Sequence, residues 1–136
     1  MNKYQILIFS ILFGLMILAS CKNEDINLNI MFNKWKVVKI KKQGESKYSK
    51  TKKNYILNFT SDTTYTLHLD VNSCLGVYNI IKNGDITIGP MVCTEMCCDS
   101  EFAENLSFLL PKMSDYYGKG DELIFEGQGK IILKQY

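Results

Sequence analysis

Beyond residue 33 the chain sets apolar and polar residues in short alternating runs, and those runs predict most of its elements. Lys34-Trp35-Lys36-Val37-Val38-Lys39-Ile40 interleaves β-branched and aromatic residues with lysine and reads as a first strand. Trp35, the single tryptophan, is placed to plug one end of a core. Tyr55, Leu57 and Phe59 alternate with Ile56, Asn58 and Thr60, and after a turn at Ser61-Asp62 the residues Tyr65, Leu67, Leu69 and Val71 oppose Thr66, His68 and Asp70. Both runs have the period of half-buried antiparallel strands. Gly76–Lys82 and Asp85–Ile88 flank Asn83-Gly84, the pair that best accepts a tight hairpin turn. Gly89-Pro90 is expected to break that strand.

The period then changes. Asp99-Ser100 offers a helix N-cap, Glu101 and Glu104 suit the first turns, and Phe102, Leu106, Leu109 and Leu110 fall on one face before Pro111. Met113–Tyr117, Glu122–Glu126 and Lys130–Gln135 return to strand character, separated by glycine-bearing turns. About eight strands joined by short turns, with one helix, imply a mainly β (α+β) fold. The expected form is an antiparallel meander curled into a partly closed barrel, the helix packed across an opening. Residues 44–53 show no period and are expected to be a solvated, lysine-rich loop.

The first thirty residues belong to a different regime. Met1-Asn2-Lys3 precedes an apolar run from Tyr4 to Leu18, shorter than the roughly 20 residues that a spanning helix needs. It reads as a signal peptide over residues 1–20. Leu18-Ala19-Ser20-Cys21 resembles the bacterial lipobox, which makes Cys21 the expected lipidation site and residues 21–33 a tether to a domain at 34–136. Acyl chains on Cys21 would hold the chain on a membrane surface without spanning it. Lys22 at the next position points to the outer membrane, and Glu24-Asp25 resembles, more weakly, a surface-export signal.

Charge narrows the function classes. The sequence has 16 lysines, no arginine and 14 acids, a net of +2 that drops to +1 if Lys3 leaves with the leader. Such balance, without the bidentate arginine fork, argues against nucleic acid as a partner. One histidine, His68, on the polar side of a strand gives no catalytic triad, and Asp70, Glu95, Asp99 and Glu101 are the only carboxylates grouped near other chemistry. Capping and turn roles account for Asp99 and Glu101. No cofactor motif is present, and no enzyme activity is expected.

The order of landmarks is similar to the META/HslJ-like family of small bacterial lipoproteins and envelope domains. The likeness rests on the early Trp strand, on Asn72-Ser73-Cys74-Leu75-Gly76-Val77-Tyr78, on Thr94-Glu95-Met96-Cys97-Cys98 and on Glu101-Phe102. It marks Asn72, Gly76, Tyr78, Thr94 and Met96 as motif residues. It implies a β-rich fold with one helix, no established catalytic centre, and an association with stress tolerance at the envelope. The usual Gly-Cys-Asn order is altered here, with the cysteine displaced to Cys74 and extra cysteines at 93 and 97. Lipocalin-like small-ligand binders, with the same early Trp strand and meander, are the rival.

Apart from Cys21, four cysteines remain: Cys74, Cys93, Cys97 and Cys98. An even number in an exported domain reads as two disulfides. The favoured pairing is Cys74–Cys98 with Cys93–Cys97; Cys74–Cys97 with Cys93–Cys98 stands close behind, and the arrangement joining adjacent Cys97 and Cys98 is disfavoured because it closes a tight vicinal ring. Closing a roughly 25-residue loop from Cys74 would contribute about 3–4 kcal/mol and pin the start of the helix to the sheet. A soft-metal site or a thiol-redox pair is the alternative, though no Cys-x-x-Cys spacing supports it. The partners expected are therefore a membrane, through Cys21, and an envelope protein or small ligand of unknown identity.

Overall fold

The computed structural model describes residues 33–82 and 84–136. The expected leader at 1–20, Cys21, the expected tether before Asn33, and Asn83 lie outside the described residues. In chain order the elements are β1 (Lys34–Lys42), β2 (Ser49–Lys50), β3 (Ile56–Phe59), β4 (Thr64–His68), β5 (Ser73–Lys82) and β6 (Asp85–Cys93). They continue as α1 (Glu101–Leu109), a 3-10 turn (Leu110–Lys112), β7 (Met113–Lys119), β8 (Glu122–Gly127) and β9 (Gly129–Gln135).

All pairings between neighbouring strands are antiparallel, and β1 also pairs with β9, so eight strands close into a ring with β2 as an extra strand on the edge of β1. Closure removes the exposed edges that an open meander would keep. The barrel is therefore closed, where the sequence predicted partial closure. Its thinnest seam lies between β6 and β7, held by Asp85 opposite Asp115 and by the Tyr116 amide donating to the Gly84 carbonyl at 2.8 Å.

Two irregularities in the alternation turn out to be bulges. Trp35 and Val37 face inward, but Ile40 is the next core residue after them, because the β1–β9 register slips between Val37 and Lys39. Gly89-Pro90 does not end a strand: β6 runs through it to Cys93. Opposite these residues the register steps from Tyr78–Ile88 to Gly76–Met91, so Pro90 sits in a bulge where its missing N–H costs no ladder bond. A further difference concerns β4, which stops at His68. The chain then turns, Leu69 N–H donating to Asn72 O at 2.9 Å, and leaves Val71 41% exposed, where the alternation had placed it inside. The lysine-rich loop carries the short β2, which the sequence did not predict.

The interior is filled by side chains, as an eight-stranded barrel of this size allows. Tyr55, Leu57, Tyr65, Leu67, Tyr116, Leu123, Phe125, Ile131 and Leu133 are all buried. Phe59 packs edge-on against Tyr78 with ring centroids 4.9 Å apart, and Trp35 is buried near the start of β1. Helix α1 joins the end of β6 to the start of β7, which are at the same end of the barrel, and it buries Ala103, Leu106 and Leu109 over that end. Phe102 stacks on Tyr55 at 5.2 Å. The helix thus covers one mouth, as its apolar face predicts.

One polar atom in this core is out of place. Tyr116 Oη is buried and has no hydrogen-bond partner among the described residues. Such a group loses its water without compensation, so Tyr116→Phe should leave stability unchanged or raise it by up to about 1 kcal/mol, measured as the urea midpoint.

Candidate functional site

The covered end of the barrel is organised by four consecutive residues, Leu69–Asn72, where β4 turns into β5. Asp70 extends its carboxylate toward the helix start. It accepts hydrogen bonds from the Ser100 amide (2.9 Å), the Ser100 hydroxyl (2.6 Å), the Tyr55 hydroxyl (3.0 Å) and the Lys53 ammonium (2.5 Å). Ser100 is the N-cap of α1, its Oγ accepting from Ala103 N–H at 3.4 Å. Burial alone would raise the Asp70 pKa, but the bonds from Lys53, Ser100 and Tyr55 outweigh it and hold the carboxyl well below the usual range. Lys53 is shifted upward in turn, chiefly by its bond to Asp70.

Asn72 performs the matching task for the cysteine loop. Its side-chain amide donates to Met96 O (2.7 Å) and to Asp99 Oδ2 (2.7 Å), and its side-chain oxygen accepts from Met96 N–H and from the Thr94 hydroxyl, both at 2.8 Å. All the hydrogen-bonding capacity of that amide is used. With Met96 it imitates a strand pairing, binding both N–H and C=O of one residue. Asp99 also accepts from the Val71 amide at 3.0 Å; burial opposes ionisation, but the bonds from Asn72 and Val71 prevail and lower its pKa.

The motif residues therefore have assignable structural tasks. Asn72, Thr94 and the Met96 backbone fix the loop 94–99 to the β4–β5 corner. Gly76 is opposite Tyr65 in the sheet, and a Cβ there would sit 2.4 Å from the Tyr65 ring. Because Tyr65 is buried and cannot swing away, Gly76→Ala should cost about 1–3 kcal/mol, read from thermal unfolding. Tyr78 is buried with its hydroxyl donating to Ser61 O at 2.7 Å. Burial pushes the Tyr65 phenol up to about 12.

The cysteine pairing differs from the one the sequence favoured. Cys74 is bonded to Cys93, and Cys97 to Cys98. Neither Cys74–Cys98 with Cys93–Cys97 nor the exchanged pairing is found. The reason lies in the hairpin: Cys74 and Cys93 are register partners on β5 and β6, so their side chains meet across the sheet. The helix start is consequently pinned by Asp70 and Asn72, where a disulfide had been expected. Among the described residues both cysteine pairs are closed, which leaves none of these four as a thiolate ligand, and no group of three or more His, Cys, Asp or Glu side chains suited to a metal comes together there. His68 is exposed, with Ser73 Oγ 2.9 Å from its Nδ1. It does not join the carboxylates.

Sequence reasoning missed the outer wall beside this loop. Leu75 and Val92 are opposite each other in register on β5 and β6, and are 57% and 80% exposed. Val77, Val71 and Met96 are exposed as well. The apolar strip thus runs from the sheet wall up to the loop that Asn72 holds. The signal was present in Leu75 and Val77, two positions apart and so on one face, with Cys74 and Tyr78 on the other.

These features define a small closed antiparallel barrel, helix-covered at one end, whose disulfide-bearing loop is fixed by hydrogen bonds from a strand corner. The sequence signature of one family, the META domain, matches residues 28–135, and the chain belongs to that family. Among solved structures it is similar to a protein from Burkholderia xenovorans determined by NMR, with a TM-score of 0.59 and 11% identity over 79% of this chain and 85% of that one. It is also similar to a DUF4847 family protein from Bacteroides vulgatus known from a crystal structure, with a TM-score of 0.57 and 12% identity over 78% of this chain and 94% of that one. At such identities these neighbours speak for the fold alone. No curated protein matches the chain significantly.

Proposed function

We propose that this chain is a lipid-anchored, non-catalytic module of the outer membrane that binds a protein through the outer wall of β5 and β6 and the loop 94–99. The observation that carries the reading is the exposed apolar strip of Leu75, Val77, Val92 and Met96 beside an interior already filled by side chains. A ligand inside the barrel would have to displace Tyr65, Phe125 or their neighbours. An apolar strip on a rigid outer wall suits a protein surface. The lipobox-like Leu18-Ala19-Ser20-Cys21 supports the anchor, and Lys22 supports the outer membrane. Absence of turnover is supported by the commitment of Asp70 and Asp99 to hydrogen bonds that keep them ionised, a poor state for proton transfer near neutral pH.

The reading is tested by placing a photoreactive residue at Val92 or Met96 in cells producing the full chain, with the same label at exposed Tyr136, after β9 and away from β5 and β6, as a control. One discrete protein adduct from Val92 and Met96, absent from Tyr136, is the expected result. Equal labelling from all three, or no protein adduct from any, overturns it. Intact mass of the purified mature chain checks the anchor: it should begin at Cys21 and carry acyl groups.

A further inference from the structure

Near neutrality of the whole chain conceals a separation of charge. Residues 34–53 hold nine lysines and a single acid, Glu45, a net of +8. Residues 54–129 hold three lysines and eleven acids, a net of −8, and residues 130–136 add Lys130 and Lys134. Among the described residues one ion pair, Lys53 on Asp70, joins the first block to the second. Because β9 closes the barrel onto β1, the two basic segments become neighbours on one wall.

On that wall lysine faces lysine. Lys36 is opposite Lys134 and Lys41 opposite Lys130 across β1 and β9, while Lys39 is opposite Lys50 across β1 and β2. Trp35, Val37, Ile40, Ile131 and Leu133 point inward on the same strands, so these lysines point out. Like charges directly opposed in a sheet are destabilising. Lys130 and Lys134 are relieved by Glu126 and Asp121, but Lys36, Lys39, Lys41 and Lys50 form no ion pair among the described residues. Tyr48 lies with its ring centroid 5.1 Å from both Lys39 and Lys41 Nζ, which holds two of these ammonium groups beside each other.

We infer that this wall, centred on Lys36, Lys39, Lys41 and Lys50, is a docking surface for the anionic headgroups of a lipid membrane. Charge complementarity selects an anionic partner. Lysine, a point charge without the planar fork of arginine, suits dispersed headgroup phosphates better than base edges, and a convex barrel wall lies against a plane more readily than in a groove. The docking strand β1 also directly follows the segment that would lead from the lipidated Cys21, so an anchored chain would present this wall to the leaflet that holds it. That last argument rests on the anchor proposed above; the electrostatic argument does not.

The test uses a chain beginning at Lys22, which lacks leader and anchor thiol but keeps every strand pairing and the whole core, all within residues 34–136. It is sedimented with vesicles of phosphatidylcholine alone, with vesicles mixed with phosphatidylglycerol, and with a short DNA duplex. Binding is expected to the anionic vesicles, to vanish on raising salt from about 0.05 to 0.5 M, and to be absent from phosphatidylcholine. Each lysine at an anionic surface is worth about fivefold in affinity, so Lys36→Gln, Lys39→Gln, Lys41→Gln and Lys50→Gln combined should weaken binding by at least about a hundredfold. The same variant should melt within a few degrees of the parent, since the repulsions it removes offset the Tyr48 contacts it loses. Equal binding to both vesicle types, salt-insensitive binding, or a variant that binds like the parent overturns the inference. Binding to DNA as tight as to anionic vesicles at equal salt also overturns it, assigning the wall to polyanions generally. The lipid and salt dependence of the parent decides without any variant, and because no acyl chain is present, failure here leaves the anchor a separate question.

Discussion

Replacing Cys74 and Cys93 together by alanine lowers the melting temperature by roughly 10–20 °C. The bond between them closes a loop with a sequence separation of 19, which on the chain-entropy account stabilises by about 3 kcal/mol. A domain of about a hundred residues loses several degrees for each kcal/mol. Alanine is the right replacement because Cys74 is only 2% exposed and serine would leave a hydroxyl in the core. The control is Cys97→Ala with Cys98→Ala. Those residues are adjacent, so their bond constrains almost no chain in the unfolded state, and the melting temperature should hardly move. Thermal unfolding of the two variants side by side separates a disulfide that stabilises the sheet from one that shapes only an exposed loop. If the 97–98 variant lost as much as the 74–93 variant, the division of roles would be wrong.

The second large effect is expected at Asp70. Asp70→Ala removes at one stroke the acceptor used by Ser100 N–H, Ser100 Oγ, Tyr55 Oη and Lys53, with the carboxylate side chain only 9% exposed. Leaving the Ser100 and Tyr55 donors in that half-buried corner costs about 2–4 kcal/mol; Lys53 is largely exposed and adds little. The pH dependence provides an independent readout. The folded pKa values of Asp70 and Asp99 lie below their ordinary 3.8, so the unfolded chain binds more protons in acid. The stability these groups contribute is fully present above about pH 4 and is lost as the pH falls through their folded values. Urea midpoints between about pH 5 and 2 should therefore fall steeply for the parent. For Asp70→Asn the slope should be shallower by up to about 1.4 kcal/mol per pH unit, one proton's worth. An unchanged acid slope would mean that Asp70 is not the hub described above.

How much of this was legible beforehand depends on the range of the interaction. The strands of Trp35, of Tyr55-Leu57-Phe59 and of Leu123-Phe125, the Ser100 cap and the helix over one mouth all follow from local alternation and spacing. They involve residues a few positions apart. Loop closure and avoidance of a vicinal ring favour other cysteine pairings, but strand register decides which sulfurs meet. The hairpin carried the answer. Eight residues back from Lys82 is Cys74, eight forward from Asp85 is Cys93, and Lys82 and Asp85 pair at the turn. Two bulges on opposite strands cancel, so simple counting from the Asn83-Gly84 turn would have placed the two sulfurs together. Gly89-Pro90 obscured the count by looking like a strand end.

The hydrogen-bonded corner was harder to see. Asn72 and Asp70 serve residues 15 to 30 positions away, and no periodic pattern marks a side-chain amide that completes a loop. The lysine wall depends on a different long-range fact, the closure of β9 onto β1, without which Lys130 and Lys134 would be far from Lys36 and Lys41. Sequence showed a basic loop at 44–53. Only topology joined it with β9 into one basic wall.

Digestion of the unreduced chain with trypsin and a glutamate-specific protease, followed by mass spectrometry, tests the organisation of the cysteine loop most directly. Cleavage after Lys82 and Glu95 puts Cys74, Cys93 and the Cys97-Cys98 pair in three different peptides. The predicted result is a covalent pair of the Cys74 and Cys93 peptides, with the peptide holding Cys97 and Cys98 released free and lighter by the two hydrogens of an internal disulfide. A Cys74 peptide joined to the 97–98 peptide would contradict the account, because the loop would then be held to the sheet by a covalent staple and not by Asn72 and Asp99.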